Sequence, residues 1–151
     1  MSCSNYRIIE LQNDNIGAVA ANSMMPLGRI TRRISTATGS GVPFEISTSG
    51  ADTIQLTSKG YYKVMYSASV TPAEAGTIKF TLMANGQELY SVSDEVTTAR
   101  AVNLTLIKSV RVFANCASCS TNCPVQLQIK ASGVAIASGT SNIIVDSCVN
   151  G

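Results

Sequence analysis

The chain has 151 residues, of which 45% are hydrophobic and only 13% charged, and its formal net charge is +2. The length suits one domain with a single packed core, and so ordinary a hydrophobic content excludes a disordered chain, which combines low hydrophobicity with high charge. The sequence contains no His, which excludes Ser–His and Cys–His catalytic pairs, and its nearly balanced charges give no electrostatic reason to expect a nucleic-acid partner.

The first 35 residues differ from the rest of the chain and are interpreted as an anchoring or docking segment. Acidic residues at positions 10 and 14 interrupt the apolar run that a secretory signal needs, and no stretch approaches the ~18 apolar residues of a membrane span. We therefore expect synthesis in a cytoplasm, no export by the usual route and no membrane partner. Residues 1 to about 28 follow neither a helical nor a strand period, whereas Arg29–Ser35 predicts a short strand and Thr36–Gly41 a flexible loop.

From residue 42 onward the pattern is a series of strands, and residues 36–151 are predicted to form one domain. After Gly60, five apolar residues alternate with mostly polar ones, which is the period-two pattern of a half-buried strand. Asn85-Gly86 then predicts a tight hairpin, because this dipeptide readily adopts the positive backbone angles of a type I′ turn. The apolar segments, in chain order, are Val42–Ile46, Ile54–Leu56, Tyr62–Val70, Ile78–Leu82, Leu89–Val92, Val102–Leu106, Val110–Val112, Val125–Ile129, Val134–Ile136 and Asn142–Val145.

About eight to ten short strands separated by turn residues, with no convincing helix, predict an all-β jelly-roll β-sandwich. The segments Phe44-Glu45-Ile46, Ile54-Gln55-Leu56 and Gly60-Tyr61-Tyr62-Lys63-Val64-Met65-Tyr66, followed by the Asn85-Gly86 hairpin, resemble the tumour-necrosis-factor and complement-globular-head superfamily, in particular its bacterial and phage members. The resemblance covers about residues 42 to 145. It implies a compact homotrimer packed about a three-fold axis, and the side chains expected at this packing are Tyr62, Val64, Tyr66 and Phe80.

The five cysteines indicate either cross-linking or a metal site. Cys116, Cys119 and Cys123 have the spacing of a thiolate knuckle, to which Cys3 or Cys148 could add a fourth ligand, but structural zinc sites usually have two separated knuckles. Disulfides, within this loop or to Cys148, are therefore preferred over zinc, and unpaired thiols are the third interpretation. Because the number is odd and both termini allow contacts between chains, we expect at least one cross-link between subunits or neighbouring particles.

Arg29, Arg32 and Arg33 form the only positive cluster of the sequence. One interpretation is docking onto an acidic partner surface, such as a capsid or filament. The other is a solvated strand edge, where basic side chains prevent association with other strands. The sequence alone leaves both open.

Two other groups of side chains are candidates for binding. Clustered tyrosines can form a sugar-binding platform, although tyrosines more often pack in a core or an interface. The tyrosines concerned are Tyr61, Tyr62, Tyr66 and Tyr90. The carboxylates that could bind calcium are Asp52, Asp94 and Glu95. Their spacing matches no calcium loop, so we expect neither a metal nor a cofactor.

The sequence favours a non-enzymatic structural protein, because no spacing of carboxylates or nucleophiles favours catalysis. We interpret it as a trimeric jelly roll on a phage virion surface, where a capsid decoration or head-fibre component contacts other capsid or fibre proteins. Cytoplasmic synthesis and enrichment in cysteine fit a particle assembled inside a cell and later released. The alternatives are a bacterial spore-surface or appendage protein of the same fold, and a carbohydrate-binding fibre-tip module that recognises a host-surface glycan.

Overall fold

The computed structural model describes residues 5–35, 46–57, 59–96, 100–113 and 125–149. Every regular element in these ranges is a β-strand, and they contain no helix, as the sequence predicts. In chain order the strands are β1 (Asn5–Asn13), β2 (Ser23–Met24), β3 (Arg29–Ser35), β4 (Ile46–Ser49), β5 (Thr53–Leu56), β6 (Gly60–Pro72), β7 (Gly76–Ala84), β8 (Gln87–Val96), β9 (Val102–Val112), β10 (Val125–Gly133) and β11 (Ile136–Val149).

The strands form two antiparallel sheets that pack face to face. Sheet A has the order β3–β1–β11–β6–β9, and sheet B has the order β4–β5–β10–β7–β8, with the short β2 paired to β10. Most turns carry the chain from one sheet to the other, so neighbouring strands are usually distant in sequence. This is the jelly-roll sandwich that the sequence predicts, and the predicted fold class is confirmed.

The core lies between the two sheets and is built from the period-two faces of their strands. The predicted apolar face of β6 points into it, and all five of its side chains are at most 4% exposed. Across the core, the rings of Tyr66 and Phe80 meet edge to face, with centroids 5.6 Å apart and planes at 83°. Full burial of each large apolar side chain contributes about 1.5–3 kcal/mol, which makes this central layer a main source of stability.

The Asn85-Gly86 hairpin joins β7 to β8, as predicted. The φ angles of the two residues are 49° and 80°, and positive values at both positions are what a type I′ turn requires. The side-chain Oδ1 of Asn85 also accepts a hydrogen bond from the backbone N–H of Gln126 at 2.8 Å. The hairpin is thereby attached to β10 as well as to its own two strands.

Residues 5–35 belong to the sandwich, so the predicted boundary at residue 35 does not separate two structural units. β1 lies inside sheet A, where it pairs with β11 along its whole length and with β3 on the other side. Ile9 and Leu11 are buried in the core, whereas Ile8 is buried on the opposite face of the same strand. Burial on both faces hides the period-two alternation, which is why the sequence pattern does not reveal this strand. The docking role of the segment stays a prediction.

Two pairs of predicted segments are each part of one longer strand. The segments at residues 102–106 and 110–112 both belong to β9, where Lys108 interrupts the apolar pattern because it occupies the same face as Leu106 and Val110. Likewise, Ile136 and residues 142–145 all belong to β11. Apart from Ile46 at the start of β4, the predicted loop at residues 36–41 and the segment at 42–46 lie outside the described residues.

Candidate functional site

The face of sheet A that points away from the core carries an apolar row of side chains. Ile107 on β9, Met65 on β6 and Ile144 on β11 are direct neighbours across the strands. Ile107 is 51% exposed, and the other two are half-buried. The row continues into Glu10 and Arg32, whose side chains form an ion pair at 3.9 Å. An apolar centre with a polar margin is the usual composition of a surface that packs against another protein.

A polar groove of about 370 Å³ lies beside this row on the same face. Hydroxyl and amide groups line most of it, and the hydroxyls of Ser67 and Thr105 lie 3.3 Å apart. Asp14, the one charged residue in this lining, forms an ion pair with Arg29 at 3.4 Å. The groove therefore offers polar contacts around the apolar row and contains no aromatic side chain on which a sugar could stack.

A second exposed apolar surface, which we call the β8–β9 edge, includes Leu89 and Tyr90 of β8 and residues 107–113 on and after β9. Phe113 is 74% exposed, Tyr90 is 44% exposed and Leu89 is 39% exposed. A groove of about 410 Å³ opens between the two strands and is lined by Leu89, Val110 and Phe113, among others. Large apolar side chains this exposed and this close together indicate a contact surface.

Two cations lie over aromatic rings at the β8–β9 edge. The guanidinium of Arg111 is 5.3 Å from the ring centroid of Tyr61 and 4.7 Å from that of Phe113, so it contacts two exposed rings. The ammonium of Lys108 is 5.7 Å from the ring centroid of Tyr90. Each such contact contributes about 0.5–1 kcal/mol at an exposed site. Among the described residues, neither cation has a carboxylate within 4 Å, and Tyr and Arg are the residues that protein interfaces concentrate at their strongest contacts.

The opposite edge of sheet A is strand β3, and the predicted arginine cluster lies on it. The exposed residues of this β3 edge include Arg29, Ile30, Arg32, Arg33 and Ile34. Both isoleucines are 42% exposed. The ion pair of Arg29 with Asp14 is solvent-exposed, and that of Arg32 with the partly buried Glu10 is long, at 3.9 Å, so neither contributes much to stability. The structure thus places the three arginines on one strand edge, where both docking and edge protection are physically reasonable.

The four residues predicted to pack between subunits lie in the core of a single chain. Each is at most 1% exposed in the absence of any second copy: Tyr62, Val64, Tyr66 and Phe80. Because the two sheets of one chain already cover them, they cannot contact another subunit, and this prediction is wrong. Period two identifies the buried face of a strand, but it does not say whether the same chain or another chain covers that face.

The core also contains a guanidinium that the sequence analysis missed. Arg7 of β1 is 1% exposed, and its Nη1 donates a hydrogen bond to the hydroxyl of Tyr62 at 3.3 Å. Burial lowers the pKa of Arg7, while the electrostatic interaction and the hydrogen bond with Tyr62 oppose that effect. An arginine stays protonated even so, and this charge lies in the interior rather than on a surface that could bind a partner.

The tyrosines do not form a platform. Tyr62 and Tyr66 are buried, and burial raises the pKa of Tyr66. Tyr61 lies on β6 of sheet A and Tyr90 on β8 of sheet B, and these two are exposed. The four tyrosines thus do not form one sugar site, and the preferred interpretation, packing in a core, fits Tyr62 and Tyr66.

The three candidate calcium ligands are not brought together either. Asp52 lies in the turn before β5, whereas Asp94 and Glu95 lie on β8, three strands away in sheet B. Within the described ranges, no group of three or more His, Cys, Asp or Glu side chains is placed to hold a metal ion. The same ranges contain no helical segment with the length and apolar character that crossing a membrane requires.

Four of the five cysteines fall on parts of the chain that the structure does not describe. Cys3, Cys116, Cys119 and Cys123 lie outside the described residues. Cys148 lies in β11, where its backbone is opposite that of Tyr6 in β1. Disulfide, zinc and free-thiol interpretations all stay predictions.

No protein-family model and no curated protein sequence matches this chain, but solved structures do. Eiger TNF from S. frugiperda is 8% identical with a TM-score of 0.69, over 99% of this chain and 96% of that one. The globular domain of zebrafish complement 1qA is 5% identical with a TM-score of 0.61, over 95% and 98% of the two chains. PRD1 vertex protein P5 is 14% identical with a TM-score of 0.54, over 99% and 100%. The chain thus has the TNF-like and complement-head jelly-roll fold that its sequence resembles.

Proposed function

We propose that the chain is a non-enzymatic structural protein that forms a homotrimer on the surface of a phage virion, as a capsid decoration or head-fibre component. The observation that carries the homotrimer is where the exposed apolar side chains lie. Among the described residues, all seven large ones are on β3, on β8, on or just after β9, or directly beside β9. Exposed apolar side chains that are not part of a contact surface are usually scattered singly. Their concentration at two edges of the sandwich therefore favours specific contacts between copies of the chain.

The two edges are different surfaces, which favours a closed ring. A contact between the β3 edge of one copy and the β8–β9 edge of the next is heterologous, and a heterologous contact closes into a ring when its rotation fits the point group. The resemblance to the tumour-necrosis-factor and complement-head superfamily supports a ring of three. The apolar row of Ile107, Met65 and Ile144 begins at the β8–β9 edge, runs across sheet A towards the β3 edge and gives the ring an apolar contact.

The virion location is supported by the likeness to PRD1 vertex protein P5, which extends over the whole length of that chain. The lack of any His in the sequence fits a structural protein better than a hydrolase. The location is tested by labelling purified particles with an antibody against this chain. Absence of the protein from intact particles contradicts the virion role and leaves the trimer unaffected.

The trimer is tested by native mass spectrometry. We expect three chains of 15.8 kDa, a species of about 47 kDa. Ile107→Lys places a charge in the apolar row and is expected to reduce the trimer, whereas Glu74→Lys in the β6–β7 turn is a matched control that leaves it unchanged. A wild-type chain that stays monomeric at every concentration contradicts the homotrimer.

Carbohydrate binding is a second candidate function, supported by the exposed rings of Tyr61 and Phe113, both of which contact the guanidinium of Arg111. Aromatic faces of this kind stack on sugar rings, and the guanidinium can bind a sugar carboxylate. Binding on a glycan array that is lost in both Tyr61→Ala and Phe113→Ala supports this function. Equal binding by wild type and both variants contradicts it.

We also propose that at least one of the five cysteines joins subunits or neighbouring particles, because an odd number cannot all pair within one chain. Denaturing gels with and without reductant test this. We expect a dimer or trimer band that reductant removes, and identical migration in the two lanes contradicts the cross-link.

A further inference from the structure

The two edges of sheet A can be compared level by level, because the strand register connects them in continuous rows. Ile34 on β3 lies in the same row as Ser109 on β9. Arg29, near the other end of β3, lies in the same row as Thr105. Between these two rows, Arg33 shares a row with Lys108, Arg32 with Ile107 and Ile30 with Leu106. The β3 edge therefore carries Ile34 at the level of Ser109 and Arg29 at the level of Thr105, with two arginines and an isoleucine between them.

Strand β8 belongs to sheet B, but its contacts with β9 show which residues of β8 lie beside which rows of sheet A. Leu89 lines the groove together with residues 108–111 and Phe113, so it lies towards the same end of sheet A as the row of Ile34 and Ser109. Lys108 reaches over the ring of Tyr90. Val92 is paired with Phe80, whose ring meets that of Tyr66, and Tyr66 is paired with Leu106. β8 and β9 therefore run in opposite directions along this edge. Asp94 then lies four residues beyond Tyr90, about 13 Å towards the level of Thr105.

Strands β3 and β8 are complementary in charge. The β3 edge carries three arginines and no acidic residue, and β8 carries three acidic residues and no basic one, while the cations Lys108 and Arg111 of the β8–β9 edge belong to β9. Two of these acids, Asp94 and Glu95, are exposed near the level of Arg29, whereas Arg32 lies two rows away, in the row of Ile107. If the axis of the ring runs approximately along the strands, residues at the same height along the axis meet where two neighbouring copies touch. Rows of equal level then face each other across the contact.

We propose that the acidic partner of the arginine cluster is a second copy of this chain. The β3 edge of each copy packs against β8 and the β8–β9 edge of the next, with Arg29 facing Asp94 and Glu95 and with Arg32 two rows from Arg29 on the same edge. At the other level, Ile34 lies against Leu89. This inference rests on the proposed homotrimer and names the surfaces that form it.

The contacts that the two arginines already make do not prevent this docking. Each guanidinium has five N–H donors, and its ion pair within the chain, at 3.4 or 3.9 Å, uses few of them. The guanidinium can therefore bind a second carboxylate across the interface. Opposite charges at an interface also fix its register and accelerate association, and both effects weaken as the salt concentration rises.

A charge exchange tests the inference. We expect Arg29→Glu with Arg32→Glu, or Asp94→Arg with Glu95→Arg, to raise the dissociation constant of the trimer about tenfold or more at low salt. The chain that combines all four substitutions is expected to return to within about threefold of wild type, because the attraction is restored with its direction reversed. Glu74→Arg, in the β6–β7 turn, is the control that alters charge away from both edges. Circular dichroism checks that every variant is folded.

The outcomes separate this inference from the proposed function. A wild-type trimer that neither charge-reversed pair weakens overturns the edge contact and leaves the homotrimer standing. Weakening by both pairs without recovery in the combined chain also overturns it, because the two sets of charges then do not face each other. A wild-type monomer overturns the homotrimer itself and this inference with it. Recovery in the combined chain alone supports the contact.

Discussion

Replacement of Phe80 by Leu tests whether this ring packs inside one chain or between chains. Phe80 is completely buried, and its ring meets that of Tyr66 edge to face at 5.6 Å. An aromatic pair of this geometry contributes about 0.5–1.5 kcal/mol beyond area burial, and the smaller Leu leaves a small cavity. We therefore expect Phe80→Leu to lower the free energy of unfolding by about 1–2 kcal/mol. Phe80→Ala is expected to cost about 3–5 kcal/mol.

These losses are large relative to the total. A domain has about 5–15 kcal/mol of stability, so Phe80→Ala removes a substantial fraction of it. For a chain of this length each kcal/mol lowers the melting temperature by about 2–4 °C. Phe80→Leu should therefore melt about 2–8 °C below wild type, a difference that a thermal scan resolves.

The assay is urea unfolding followed by circular dichroism at two protein concentrations, with native mass spectrometry on the same samples. If Phe80 is a core residue, the difference in stability between Phe80→Leu and wild type is the same at both concentrations, and the assembled mass is unchanged. Ile107→Ala is the matched comparison and should lower the assembled mass without destabilising the single chain. The reasoning is refuted if Phe80→Leu leaves stability unchanged and dissociates the assembly.

Three further predictions concern stability. Because burial raises the pKa of Tyr66 above that of an unfolded chain, the free energy of unfolding should fall as the pH rises above about 10. Tyr66→Phe should remove a part of this fall of up to ~1.4 kcal/mol per pH unit, measured by urea unfolding between pH 9 and 11. Gly133→Ala should lower the melting temperature more than Gly50→Ala, because both have positive φ but only the new methyl at 133 overlaps the carbonyl oxygen of Thr77. Asn85→Ala should cost about 1–2 kcal/mol in urea unfolding, since it removes the turn preference and a hydrogen bond.

The sequence predicts those parts of the fold that depend on residues close together in one strand or turn. The apolar face of β6 is five residues long and strictly alternating, and β3 has the predicted bounds Arg29–Ser35. The turn between β7 and β8 is predicted by two residues with a specific backbone requirement. In each case a local property of the chain and the final structure agree, which is why no knowledge of the partner strands is needed.

The strands that the sequence misses or divides are those in which tertiary packing overrides alternation. β1 places Arg7, Ile9 and Leu11 towards the core and still buries Ile8 on its other face. In β9, Lys108 occupies a position that faces inward at the sheet edge, where a charge reduces association with other strands. Neither arrangement can be recognised without knowing that β1 is central in its sheet and that β9 is at an edge.

For the candidate site too, the sequence predicts the part that lies along one strand and misses the part that lies across several strands. The β3 edge runs along a strand, so its arginines are close together in the sequence and are found there. The apolar row runs across the strands, so each strand contributes one apolar residue between two polar ones on the same face. Met65 lies between Lys63 and Ser67 on this face of β6, and Ile107 and Ile144 have equally polar neighbours. Register alone brings the three together, so a surface perpendicular to the strands is visible only once the sheet order is known.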